Sequence, residues 1–202
     1  MATSACVLAV SGTTLAANEA RRPGGERATQ VYVCPVGDVA RSDLRDAAKA
    51  LANAFGTRSD VTDGIEMPPS AYRPARRQYD ASVVLSALRK EVRRRRLRGR
   101  LLGVTSRDLY SDGLNFVFGQ AEINGIVAVI STARLDPAFW RDEPDEKLKR
   151  RRIAKEAVHE LGHVYGLRHC PNPSCVMFFS NSLADTDRKR AEFCSKCRAR
   201  LK

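Results

Sequence analysis

The chain contains few histidines, few aromatic residues and no long apolar segment. No stretch approaches the roughly 20 consecutive apolar residues of a membrane-spanning helix, so the sequence predicts no such helix and no membrane partner. Aromatic residues make up only 6% of the chain and do not interleave with its basic runs, which argues against a surface that stacks nucleic-acid bases. There are 3 histidines, all between residues 159 and 169, and this restriction to one segment indicates a specific role.

The histidine segment reads HELGHVYGLRH, from His159 to His169. On a helix, His159 and His163 lie one turn apart on the same face, where two neutral imidazoles can bind one metal ion. Gly166 can adopt a positive φ that ends the helix, and the resulting turn brings His169 round as a third ligand. Three histidines bind zinc and leave a fourth position for water, as hydrolysis requires. Glu160 is then the candidate general base, which takes a proton from that water and passes it to the leaving amine.

The alternative interpretation is a helix whose histidines are ordinary surface or core residues. The shorter pattern His-Glu-x-x-His matches by chance now and then. Gly166 and His169 extend the match beyond that pattern, so a three-histidine zinc site is the favoured interpretation.

Four cysteines and a methionine follow the histidines at fixed spacings. The cysteines are Cys170, Cys175, Cys194 and Cys197. The first comes directly after His169, the second lies two positions before Met177, and the last two form a Cys-x-x-Cys pair. Together with the histidine segment, this pattern resembles the archaemetzincins, a family of metzincin-clan zinc metallopeptidases. The resemblance implies a zinc peptidase in which Met177 forms the Met-turn beneath the catalytic metal and the four cysteines bind a second zinc.

The four cysteines can also be interpreted from their chemistry alone. Two pairs of thiolates brought together make a closed tetrahedral zinc site with no position for water, which is therefore structural. Two disulfides or four unrelated thiols are the alternatives, and the Cys-x-x-Cys spacing favours metal. We therefore expect two zinc ions per chain, one catalytic and one structural.

Predicted strands and helices alternate ahead of the helix that carries His159 and His163, here called the zinc helix, which indicates an α/β fold. The strands are expected at residues 31–34, 61–67, 101–104, 115–118 and 126–130. The helices are expected at residues 42–55, with Ser42 as the N-cap, at 81–96, and from near Pro144 through the histidines. The buried stripe of the zinc helix is predicted to comprise Ile153, Ala157, Leu161 and Val164. The resemblance implies an upper mixed sheet that carries the zinc helix and a small lower subdomain held together by the four-cysteine zinc.

The length fits one catalytic domain, and we expect a monomer. Residues 1–28 are predicted to be a disordered N-terminal extension, in which Cys6 has no assignable role. Residues 29–202 form the metzincin-like domain, divided into an upper subdomain at 29–166 and a lower subdomain at 167–202. The extension lacks a basic leader and a sustained apolar segment, so we expect a cytoplasmic protein rather than an exported one.

The substrate is expected to be a peptide or protein held by an edge strand. In metzincins an antiparallel edge strand lies over the cleft and pairs with an extended peptide, and here the candidates are residues 115–118 or 121–130. An ordinary core hairpin is the alternative.

The net charge of +12 supports a second hypothesis. Basic runs at residues 93–100, 149–152 and 188–190 could bind phosphates, which suggests a zinc-containing nucleic-acid-binding or structural protein with little proteolytic activity. These runs lie on predicted helices, where a solvated face is the usual explanation. The peptidase interpretation is therefore favoured over nucleic-acid binding.

Overall fold

A computed structural model describes residues 30–201, so the predictions for residues 1–28 and Cys6 lie outside the described residues. The strands, in chain order, are β1 (Gln30–Pro35), β2 (Ser59–Val61), β3 (Tyr72–Arg73), β4 (Gln78–Asp80), β5 (Gly99–Thr105), β6 (Leu109–Tyr110), β7 (Gly119–Ala121) and β8 (Val127–Ser131). The helices are α1 (Arg41–Phe55), α2 (Ala81–Arg94), α3 (Glu146–Val164), α4 (Leu183–Arg188) and α5 (Ser195–Arg198). The predicted α/β class is confirmed.

The main sheet has five strands in the order β2-β1-β5-β8-β7. Strands β2, β1, β5 and β8 are parallel to one another, whereas β7 pairs with β8 in the antiparallel sense and forms an edge of the sheet. Strands β3, β4 and β6 form a separate small sheet. The main sheet is therefore mixed, as predicted, with its only antiparallel pair among the described residues next to α3.

The sheet carries helices on both faces. In β8, Ala128 and Ile130 pack into the apolar cluster that contains α1 and α3, whereas Val127 and Val129 pack into the cluster that contains α2. Because both faces of the strand are covered, β8 is apolar at nearly every position rather than alternating with polar residues. No helix within residues 30–201 is long and apolar enough to cross a membrane.

The helices begin and end within two residues of the predictions, but the predicted N-cap of α1 is wrong. Helix α1 begins at Arg41 after Ala40, which makes no side-chain cap, so the prediction of Ser42 as N-cap is wrong and Ser42 lies inside the first turn. Gly56 ends α1 with a φ of 62°, as predicted. Helix α3 begins at Glu146, where the Asp145 side chain accepts a hydrogen bond from the Leu148 amide and satisfies a free N–H of the first turn.

Two strand predictions are wrong in position. Strand β2 ends at Val61, and the chain then runs on beside β1, where Ile65 makes an isolated parallel bridge with Val36. Residues 115–118 form no strand beyond one bridge, since side chains of the 72–80 segment bind the Asn115 carbonyl. The antiparallel edge strand is instead β7, which shares only Ala121 with the candidate ranges 115–118 and 121–130 and lies in the segment that was predicted to be a connection.

Candidate metal centre

The three histidines converge as predicted from their spacing. His159 and His163 lie one turn apart near the C-terminal end of α3 and are buried, whereas His169 is exposed. One ring nitrogen from each histidine lies within 4.8 Å of the others. The sequence therefore identified the members of this cluster, and the fold brings all three together.

A turn at Gly166 delivers His169. Gly166 has a φ of 84°, a conformation that residues with a side chain rarely adopt. Its amide donates to the His163 carbonyl at 2.8 Å, and the Leu167 amide donates to the Gly162 carbonyl at 3.0 Å. These two bonds satisfy carbonyls at the end of α3 and reverse the chain toward the cleft.

Backbone carbonyls fix the tautomers of His159 and His163. The Nδ1 atoms lie 2.7 Å from the Val176 and Leu167 carbonyl oxygens, respectively. Because a carbonyl oxygen can only accept, each Nδ1 carries the proton and each Nε2 presents a lone pair. Burial is the main cause that lowers the pKa of both imidazoles below the usual 6.5, which keeps them neutral.

The donor geometry fits a zinc ion. The two Nε2 atoms are 3.2 Å apart, so two lone pairs converge with no proton between them. That arrangement is repulsive by itself and favourable around a cation. Zinc–nitrogen bonds of about 2.0–2.1 Å place two tetrahedral ligands about 3.3–3.4 Å apart, close to the separation seen here.

Glu160 packs closely against the edge strand, beside the histidines. It is buried, and a Cβ at Gly119 of β7 would stand 2.5 Å from Glu160 Cγ and 2.8 Å from Oε1. Only glycine at position 119 therefore lets the edge strand approach the carboxylate this closely. Burial, and secondly the charge of Glu156, raises the pKa of the Glu160 carboxyl to about 8. A carboxyl in such a site is suited to hold a proton near neutral pH, and a nearby cation favours its ionised form.

Met177 packs directly against the zinc helix. It is fully buried, and a Cβ at Gly162 would lie 2.5 Å from Met177 Sδ and 3.2 Å from Cε. Gly162, inside the histidine segment, therefore allows the methionine to approach the helix backbone closely.

Gly162→Ala is expected to destabilise the protein by about 1–2 kcal/mol. Overpacking of this kind costs about 1–3 kcal/mol, and the better helix propensity of alanine offsets up to about 1 kcal/mol. Denaturant unfolding of the metal-saturated protein measures the difference. In a Met177→Ala background the clash with the sulfur is absent, so Gly162→Ala should cost much less there. Equal costs in the two backgrounds would show that Met177 is not the obstructing group.

The four cysteines form a second cluster. One Sγ from each of Cys170, Cys175, Cys194 and Cys197 lies within 4.8 Å of the others, and all four are free thiols. The sulfurs of Cys170 and Cys194 are 3.9 Å apart, far beyond the roughly 2.05 Å of a disulfide. Zinc–sulfur bonds of about 2.3 Å place two tetrahedral thiolates about 3.8 Å apart, so this cluster also fits zinc. A backbone N–H from Cys197, the largest cause, lowers the pKa of Cys194 to about 7.

Two backbone contacts connect the clusters. The Cys170 amide donates to the Met177 carbonyl at 2.9 Å, which fixes the chain immediately after His169. Cys175 directly precedes Val176, whose carbonyl accepts from His159 Nδ1 at 2.7 Å. The cysteine cluster therefore holds both the turn that carries one histidine and the acceptor that orients another.

A cleft of about 470 Å³ opens in front of the histidines. Its lining includes residues 114–121, which contain β7, and Phe179, Ser180 and Asn181 of the C-terminal segment. His159, His163, His169 and Glu160 also line it. The edge strand, the three histidines and the glutamate therefore share one cleft.

A family model described as Peptidase family M54 matches residues 50–202. The chain belongs to peptidase family M54. Archaemetzincins are its relatives: that of Methanocaldococcus jannaschii is 41% identical over 85% of this chain and 92% of its own length, and that of Pyrococcus furiosus is 43% identical over 85% and 91%. The resemblance predicted from the sequence is thus confirmed, and this M54 peptidase is a zinc metallopeptidase.

Solved structures give the same result. The archaemetzincin of Archaeoglobus fulgidus, crystallised with malonate, is 38% identical, with a TM-score of 0.72 over 85% of this chain and 99% of that one. A zinc-dependent peptidase from Methanocorpusculum labreanum is 33% identical, with a TM-score of 0.79 over 85% and 100%. The fold of the M54 peptidase is therefore that of these structures.

Sequence reasoning missed a buried ion pair behind the histidines. Lys189 Nζ lies 3.0 Å from Glu156 Oε1 and 3.4 Å from His159 Nδ1, and the Thr186 hydroxyl donates to the same Glu156 oxygen at 3.1 Å. Both charged side chains are almost fully buried. The expectation that run 188–190 is a solvated face is therefore wrong at Lys189. The position of Glu156 one helical turn before Glu160 was the available signal, but nothing local indicated its partner.

Proposed function

We propose that this M54 peptidase cleaves peptide bonds at a zinc bound by His159, His163 and His169, with Glu160 as the general base. The observation that carries the proposal is the convergence of the Nε2 atoms of His159 and His163, 3.2 Å apart, beside a buried carboxyl. Zinc in such a site supplies Lewis-acid polarisation of the carbonyl and lowers the pKa of water to about 7.

Groups of the protein transfer the proton, orient the imidazoles and position the peptide. Glu160 takes a proton from the attacking water and then passes it to the leaving amine, which converts a poor leaving group into a neutral one. The carbonyls of Val176 and Leu167 hold the two buried imidazoles in the tautomer that leaves Nε2 free. Gly119 lets the edge strand, and with it a bound peptide, lie against the base.

We propose that β7 binds the substrate as an added strand. The Ser131 amide donates to the Phe118 carbonyl and the Glu122 amide donates to the Val127 carbonyl, so Phe118, Gln120 and Glu122 direct their backbone groups toward β8. In an antiparallel pair the intervening residues direct theirs outward. The N–H and C=O groups of Gly119 and Ala121 are thus available for an extended peptide in the cleft.

A structural role is proposed for the second zinc, at Cys170, Cys175, Cys194 and Cys197. Four thiolates complete a tetrahedral shell and leave no position for water. We further infer an upper subdomain at 29–166 and a lower one at 167–202, in which Met177 forms the apolar floor of the catalytic site. Five free cysteines among the described residues favour a reducing compartment such as the cytoplasm. We further propose a monomer that acts on peptides or proteins.

Pairing of the basic residues disfavours the nucleic-acid hypothesis. In the run 149–152, Lys149 binds Asp43 and Asp136, Arg150 binds Asp46, and Arg152 binds Asp187. Residues already neutralised by carboxylates contribute little to phosphate binding.

Metal content tests both sites together. We expect two zinc ions per chain by elemental analysis, one lost in His163→Ala and the other in Cys194→Ser. A chelator should abolish hydrolysis of a peptide library, and added zinc should restore it. The matched control is Cys34→Ser, since Cys34 is a buried free cysteine outside both clusters, and it should retain both ions. A single zinc, lost only in Cys194→Ser, would rule out the catalytic site.

A further inference from the structure

Exposed apolar side chains concentrate at the cleft. Among residues 30–201, seven large hydrophobic residues are exposed, and three of them line the cleft: Leu114 at 49%, Ile123 at 54% and Phe179 at 43%. Isolated exposed hydrophobic residues are common on any surface, but a cluster of them in one concave region marks a binding surface. Leu114, Ile123 and Phe179 therefore give the cleft that contains the metal centre an exposed apolar lining.

Cationic residues are absent from the same cleft. The chain has 35 lysines and arginines and a net charge of +12, yet none of the described residues that line the cleft is lysine or arginine. The acidic residues that line it are Glu160, beside the metal ligands, and Glu156, which is paired with Lys189. The lining therefore offers an acidic substrate side chain no cationic partner, although the chain as a whole is strongly basic.

Leu114 and Ile123 lie at opposite ends of the edge strand. Leu114 precedes β7 by five positions, and its carbonyl accepts from Arg76 at 2.9 Å. Ile123 follows β7 by two positions, in a turn closed by a bond of 3.0 Å from the Gly125 amide to the Glu122 carbonyl. Asn124, next to it, donates to the His163 carbonyl at 2.9 Å. Both apolar side chains are thus carried by loops that hydrogen bonds fix in place.

Phe179 adds apolar surface beside the metal ligands. Its ring lies 4.7 Å from the ring of His169, centroid to centroid. A peptide paired with β7 would therefore meet apolar surface at both ends of the strand and next to His169.

We propose that the cleft selects peptides with bulky apolar side chains on both sides of the scissile bond and discriminates against acidic ones. Leu114 and Ile123 are the residues that determine this preference, one on each side of the bond, and Phe179 contributes apolar surface beside His169. This inference rests on the proposed peptidase function and on the alignment of substrate with β7. An apolar contact in a half-open site gives about tenfold discrimination, at the low end of the range for one hydrophobic group.

Two measurements on matched peptides test the proposal. The peptides share one sequence and carry leucine or aspartate at the positions on either side of the cleaved bond. Cleavage by the zinc-loaded wild type gives kcat/KM, and calorimetry with zinc-loaded Glu160→Gln gives affinity without turnover. We expect the leucine peptides to be favoured about tenfold in both measurements.

Lysine substitutions in the cleft provide a second test, because an increased rate with aspartate peptides cannot result from loss of structure. Leu114→Lys should reduce the preference for leucine, and raise the rate with aspartate, on one side of the bond only. Ile123→Lys should do the same on the other side. The matched control is Val61→Lys, because Val61 is 44% exposed but lies on β2 at the opposite edge of the sheet. It should leave the preference unchanged.

The outcomes separate this inference from the function on which it rests. Equal treatment of leucine and aspartate peptides, or the same response in Val61→Lys as in the cleft variants, would overturn the apolar selection. Absence of cleavage, with the leucine preference still present in the binding measurement, would overturn the peptidase function and leave the apolar selection supported.

Discussion

Glu160→Gln is expected to lower kcat for peptide hydrolysis by about 10²–10⁴-fold, the range that a positioned general base contributes. Glutamine has the shape of the acid but cannot accept the proton of the attacking water. The glutamine side chain should fit in the space beside Gly119, because the close contact there is made by Cγ and one terminal atom. Burial already raises the pKa of this carboxyl to about 8, so a neutral amide should not destabilise the fold.

The measurement combines activity with metal content. Zinc content and thermal stability of Glu160→Gln should match those of the wild type, so that the loss is assigned to proton transfer. Glu146→Gln is the matched control, since Glu146 lies exposed in the first turn of the same helix. Undiminished turnover in Glu160→Gln would remove Glu160 from the role of base and leave only the metal site.

Cys175→Ser is expected to weaken the catalytic centre although Cys175 is not one of its proposed ligands. Losing a thiolate should release the structural zinc, whose binding stabilises small zinc folds by about 10–16 kcal/mol. The segment through Val176 and Met177 then loses its anchor, and with it the carbonyl that orients His159. Loss of such a supporting contact lowers metal affinity about 10–100-fold, so we expect that decrease for the catalytic zinc, with a corresponding loss of activity.

Competition with a zinc chelator of known affinity measures this decrease, and circular dichroism reports whether the upper part of the fold remains. Cys34→Ser again serves as the control, because Cys34 is a buried free cysteine on β1 that belongs to neither metal cluster. If Cys175→Ser lost the structural zinc but kept wild-type affinity at the histidines, the two sites would be independent.

Predictions from the sequence were accurate for features that depend on local periodicity. The buried stripe of α3, comprising Ile153, Ala157, Leu161 and Val164, is fully buried as predicted, because helical spacing alone determines which residues share a face. The same spacing, followed by a glycine turn, identified the three histidines. Predictions for short strands were less accurate, since the Asn115 carbonyl is bound by distant side chains and does not pair in a strand.

The sequence by itself determined the family, the α/β class and the members of both clusters, because spacing along a helix and between cysteines follows directly from chain geometry. Tertiary structure alone decided which strand is the edge, why Gly119 must lack a side chain, and how Lys189 becomes buried against Glu156. It also decided which carbonyls orient His159 and His163. Each of these features depends on contacts between segments that lie far apart in the chain. Local sequence patterns do not predict such long-range contacts, because these contacts depend on how the sheet, the helices and the C-terminal segment pack together.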